Sequence, residues 1–116
     1  MYSLVIDVII KEGCYDKFLD GMDANLANIK KNVPGCIGID FYCDLDTSIE
    51  NLDESYSDLN FGAPRSRNFI TIVQQWESLE ALHGFFNSEY GINLTEGKKD
   101  FFDESKWQVK ALKKVC

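Results

Sequence analysis

The sequence predicts an α+β domain of the ferredoxin-like kind: two β-α-β halves folded into one antiparallel sheet, β-α-β-β-α-β, with the helices on one face. Three observations carry this. Residues 2–11, YSLVIDVIIK, are apolar at Leu4, Ile6, Val8 and Ile10, the period-two signature of a strand. Tyr15, Phe18, Leu19, Met22, Leu26, Ile29 and Val33 then fall on one helical stripe, which Pro34-Gly35 stops. Strand, helix and strand recur in the second half, over 69–75, 78–88 and 106–112.

Each element has a local cause. Strand 2–11 also carries Val5 and Ile9 on its second face, beside Asp7. A strand apolar on both faces is covered on both. One domain this small covers one face with its own helices, so the other predicts a second copy of the chain, a homodimer. Glu12-Gly13 breaks the strand, and the helix runs to about Asn32, weakened by Gly21 by about 1 kcal/mol relative to alanine. Strand 36–44 sets Ile37, Ile39, Phe41 and Cys43 against Gly38, Asp40 and Tyr42.

Residues 44–67 form a long connection where a hairpin loop of about 2–5 residues is ordinary. This acidic insertion holds six acids from Asp44 to Asp58 and no base before Arg65. Ile49, Leu52, Tyr56 and Leu59 at helical spacing, the Thr47…Glu50 capping box and Gly62 predict a short amphipathic helix inside it. Asp44, Asp46 and Ser48 resemble the start of a calcium loop, but Ile49 occupies the glycine position and Ser55 the bidentate glutamate position, which excludes one.

Strand 69–75 runs directly into Trp76. Ser78 is the predicted N-cap of the second helix, Glu80 complements its dipole, and Leu79, Leu82 and Phe86 share a face. Residues 90–102 read as one short helix plus a loop anchored by Ile92, Leu94, Phe101 and Phe102. Strand 106–112 alternates Trp107, Val109 and Ala111 with Lys106, Gln108 and Lys110, as an edge strand does.

At 116 residues the chain is a single domain, 1–116, with 45% hydrophobic and 13% aromatic residues. A net charge of −7 and scattered lysines and arginines exclude a nucleic-acid footprint. No run approaches the roughly 20 apolar residues of a membrane span, and the start lacks a signal-peptide pattern, so the expectation is a cytoplasmic chain. Cys14, Cys36, Cys43 and Cys116 form no C-x-x-C pair and are expected as free buried thiols. With a single histidine, no zinc site is expected.

The strand followed by Lys11-Glu12-Gly13, the Val33-Pro34-Gly35-Cys36 helix end, and Ile72-Val73-Gln74-Gln75-Trp76-Glu77-Ser78-Leu79-Glu80-Ala81-Leu82 together resemble the antibiotic-biosynthesis-monooxygenase superfamily of dimeric α/β barrels. The resemblance spans nearly the whole chain outside 44–67. It implies a homodimer packed sheet to sheet, with one pocket per subunit between sheet and helices. It also implies oxidation of a phenolic or quinol-type aromatic substrate with no metal or flavin cofactor. Of the pocket residues of the anthrone-type oxygenases, Trp76 is matched, whereas the asparagine, tyrosine and second tryptophan positions hold Ile72, Leu82 and Ile29. The positions of the haem-degrading branch are unmatched, Phe85 among them.

The candidate site follows. Trp76 either lines a pocket or plugs the gap between sheet and helix. Ile29, Ile72, Leu82 and Phe86 supply apolar walls, and Gln74 and Tyr42 are candidate hydrogen-bond partners for a ligand oxygen. Ionising a phenol calls for a base at an apolar cavity. His83, with an intrinsic pKa near 6.5, and Asp7, whose pKa burial would raise, are the candidates. The rival function is a small-molecule-binding or stress-related dimer without turnover.

Overall fold

A computed structural model of the chain describes residues 1–45, 62–92, 101–103 and 107–116. Its elements are β1 (Tyr2–Ile9), α1 (Tyr15–Asn32), β2 (Cys36–Tyr42), β3 (Phe69–Trp76), α2 (Leu79–Phe86) and β4 (Gln108–Lys113). The sheet order is β2-β3-β1-β4 with every neighbouring pair antiparallel, the ferredoxin-like topology. β1 and β3 pair along their whole length, from Tyr2 opposite Trp76 to Ile9 opposite Phe69. Period two then sorts the side chains. Leu4, Ile6 and Val8 lie with Ile70, Ile72, Gln74 and Trp76 on the helix-covered face and are buried, while Val5, Asp7, Ile9, Thr71 and Val73 on the other face are half-buried. Around Phe18 of α1 the rings of Phe41 and Phe102 close at 5.6 and 5.2 Å between centroids.

Several expectations shift. β1 ends at Ile9 rather than residue 11 because its continuation changes partner. Ile10 bridges to Phe102, and the N–H of Lys11 donates to the carbonyl of Phe101 at 2.7 Å. A register shift between Cys36 and Gly38 sets Ile37 out of the alternation, and it is 47% exposed instead of sharing the inner face with Ile39. β4, expected half-buried, is exposed at all six residues, since it pairs only with β1 at the margin of the helix layer. The four thiols are free as expected, but Cys43 and Cys116 are exposed and Cys14 and Cys36 half-buried. Partial burial raises the Cys36 thiol pKa, outweighing the attraction of Lys30. The helix predicted within 47–62 falls almost entirely outside the described residues.

The face away from the helices is less apolar than expected. Val5, Ile9, Phe69 and Val73 share it with Asp7, Asp40, Thr71 and Gln75. Among the described residues no helix is long and apolar enough to cross a membrane.

One close approach locks the two halves together. Gly35 has φ +79°, and a Cβ there would collide with the Ala81 methyl of α2, while the N–H of Glu77 donates to the Gly35 carbonyl at 2.9 Å. Gly13 has a similar φ of +82° with open space around it. Gly35→Ala is therefore expected to cost at least about 2 kcal/mol, strain plus collision. Gly13→Ala pays the conformational term alone. Urea unfolding of both variants measures the difference, and equal midpoints would remove the collision from the account.

Candidate functional site

β3 ends on Trp76, and the chain turns at once into α2, whose N-cap is Ser78, as the sequence predicts. The Ser78 hydroxyl accepts from the N–H of Ala81 at 3.1 Å. That cap sets the helix so that the Phe85 ring lies 4.9 Å from the Trp76 indole, centroid to centroid. Trp76 is 0% exposed, and its Nε1–H donates to Oε1 of Gln74 at 3.2 Å. An aromatic plug thus fills one end of the space between sheet and helices.

Beyond the plug the space stays open as a cavity of about 410 Å³. Its floor is Leu4 and Ile6 of β1, Ile72 and Gln74 of β3, and Ile39 and Phe41 of β2. Met22, Asn25, Leu26 and Ile29, one stripe of α1, form the roof. Phe85, Tyr90, Phe102 and Trp107 close the ends. The volume suits a small organic ligand, and the wall is hydrophobic and aromatic with a few polar atoms. Among the described lining residues none carries a carboxylate, imidazole, ammonium or guanidinium group. Among the described residues no cluster of His, Cys, Asp and Glu stands close enough to hold a metal.

Of the residues proposed from sequence, the fold brings Gln74, Ile72, Ile29 and Phe86 together on the cavity wall. Trp76 lies behind that wall, in contact with Gln74. Leu82 packs against the core without reaching the cavity. Tyr42 is exposed, and its pairing with Thr71 puts it on the opposite face of the sheet. His83 is exposed, two residues and so about half a turn from the buried Phe85, on the opposite side of α2. The expected inward face of Leu79, Leu82 and Phe86 is turned: Phe85 is buried at 1% exposure, while Leu79 and Phe86 are exposed. An eight-residue helix carries too few turns for periodicity to settle that rotation. Sequence reasoning missed Phe18, Met22, Leu26, Phe102 and Trp107 as lining residues. The α1 stripe was visible, but its spacing does not separate a core from a cavity wall.

Asp7 is committed elsewhere. Its Oδ1 accepts from the Thr71 hydroxyl at 2.6 Å and lies 3.5 Å from the Arg65 guanidinium, on the face away from the cavity. The same Arg65 grips Asp44 through Nε and a terminal nitrogen at 2.9 and 2.8 Å, adds its backbone N–H at 2.8 Å, and stacks over Phe69. Two residues 21 apart thereby clasp the base of the acidic insertion against the sheet.

No protein-family model matches the sequence, and no curated protein matches it. Solved structures do. A putative antibiotic biosynthesis monooxygenase from Caulobacter crescentus superposes with a TM-score of 0.72 at 13% identity, covering 99% of this chain and 90% of that one. Its namesake from Nitrosomonas europaea gives 0.71 at 10% identity, with all of both chains covered. A third structure, named antibiotic biosynthesis monooxygenase, gives 0.66 at 15% identity over all of both chains. The chain shares their fold.

The Asp44 carboxyl is held at about 2, below its ordinary 3.8, by hydrogen bonds from the Arg65 side chain, then from its backbone N–H, then by the charge. A carboxyl depressed in the folded state adds stability above its unfolded pKa and loses it as pH falls through the folded value. Urea unfolding is thus expected to show wild type more stable than Asp44→Asn at about pH 5, with the gap closing between about pH 4 and 2. A gap constant with pH would dissociate the clasp from stability.

Proposed function

We propose that this protein is a cofactor-independent monooxygenase acting on an uncharged phenolic or quinol-type aromatic molecule held in the cavity between α1 and the sheet. What carries the proposal is the aromatic-lined cavity of about 410 Å³ on the helix-covered face of this fold. In such a reaction the substrate supplies the electrons. An anthrone-type methylene loses both hydrogens and gains one oxygen atom from O₂, and the second oxygen atom leaves as water. The cavity's part is to hold the ring and to position it for O₂.

A second reading has its own observation. His83 is exposed and Asp7 faces the other side of the sheet, so neither meets a ligand in the cavity. An apolar wall keeps a phenol neutral. The chain is then a binding domain without turnover.

Oxygen uptake with anthrone and a panel of quinols, under chelation and without flavin, separates the two. Enzyme-dependent uptake of one O₂ per anthrone is expected, reduced at least about tenfold in Leu26→Trp, which pushes an indole from the roof into the space the ring would occupy. His83→Ala and Asp7→Asn are expected to retain the rate within about twofold. A loss of about a hundredfold in either restores it as the base. No uptake, with binding of the uncharged dye N-phenyl-1-naphthylamine retained, establishes the second reading.

We also propose that the chain is a homodimer through the face opposite the helices, where Val5, Ile9, Phe69 and Val73 are half-buried in one copy. Light scattering is expected to give twice the 13.2 kDa chain mass, falling to one chain in Val73→Arg. A wild-type monomer at micromolar concentration would end that proposal.

A further inference from the structure

Gln74 interrupts an otherwise apolar floor. It lies at the centre of the sheet, opposite Leu4 on β1 and Ile39 on β2, and it is 6% exposed. A primary amide has an accepting oxygen on one side and two N–H donors on the other. Which side meets the ligand is fixed by the neighbour. The Trp76 indole Nε1–H donates and never accepts, so the amide oxygen must face it, as the 3.2 Å contact has it. The indole is fully buried against Phe85 and does not turn to offer anything else. Among the described residues Trp76 is the hydrogen-bond partner of this amide.

We infer that Gln74, locked by Trp76, presents its NH₂ group to the cavity and selects uncharged ligands that bring an acceptor oxygen, such as a ring carbonyl, to that point of the floor. The inference rests on the cavity being the ligand site. Gln74 is the specificity-determining contact and Trp76 a positioning residue that sets its polarity. A ligand with a carbonyl completes the amide's donors. One with only an N–H or a hydrocarbon edge leaves them buried and unpaired, and a buried donor without a partner is disfavoured.

Three flat tricyclic probes of nearly one shape test this: 9-fluorenone (acceptor), carbazole (donor) and fluorene (neither). Equilibrium dialysis against the intact chain gives their affinities. The fluorenone-to-fluorene affinity ratio is expected to fall by about three- to tenfold in Gln74→Leu, the range of one net hydrogen bond. Trp76→Phe keeps an aromatic ring against Phe85 but frees the amide to turn. It is expected to raise carbazole relative to fluorenone, which a purely structural role for the indole would not do.

A measurement on wild type needs no variant to fold. The carbonyl stretch of bound fluorenone is expected at lower wavenumber than in hydrocarbon solvent. Fluorenone binding with an unshifted carbonyl stretch, fluorene binding without fluorenone binding, or ratios unchanged in both variants, overturns this inference and leaves the cavity site standing. Failure of wild type to bind any of the three overturns the cavity site and this inference with it.

Discussion

The indole of Trp76 is the constraint on which the site depends. Burying so large a ring favours the fold by about 2–3 kcal/mol, but only if its one polar atom finds a partner inside. That partner is Gln74, two residues earlier and therefore on the same face of β3. α2 lands on the other side of the ring through Phe85. One side chain thus fixes the helix, orients the amide and backs the cavity wall at Gln74 and Phe85. The Gly35–Ala81 contact holds the same junction from the β2 side.

The remaining space is not a packing fault. A closed, empty void costs about 24 cal/mol per Å³, and over 410 Å³ that would consume most of the roughly 5–15 kcal/mol by which a domain is stable. The cavity avoids this by opening to solvent, where Asn25 and Phe86 are both lining and exposed. Water fills such a space weakly against apolar walls, so a fitting aromatic molecule displaces it readily. The open mouth, and a Gln74 amide held in one orientation by Trp76, set this space apart from a packed core.

The two sheet faces divide the labour. The helix-covered face holds the cavity. The opposite face holds the Arg65 clasp, in which Asp44, Asp7 and Thr71 converge on one guanidinium. Exposed ion pairs contribute little singly, but this one combines bidentate geometry with a backbone donor and ties residues 44 and 65 to the sheet. It also withdraws Asp7 from any chemistry on the cavity side, since parity along β1 separates residues 6 and 7 by the thickness of the sheet.

By itself the sequence determined the element order, the antiparallel ferredoxin-like sheet, the Ser78 cap and the inner face of β1 and β3, because strand period and turn residues are local properties. It also put Gln74, Ile72 and Ile29 on the inward side, where they line the cavity, since parity and helical spacing carry through to the fold. Only the tertiary structure decided the rotation of α2, the bulge at Ile37, the exposure of β4 and the withdrawal of His83, Asp7 and Tyr42 from the cavity. Those depend on how far one layer stands from the next and which ring meets which. Such distances are set by contacts between residues remote in the chain, of which Trp76 with Phe85, and Phe18 with Phe102, are the decisive pairs.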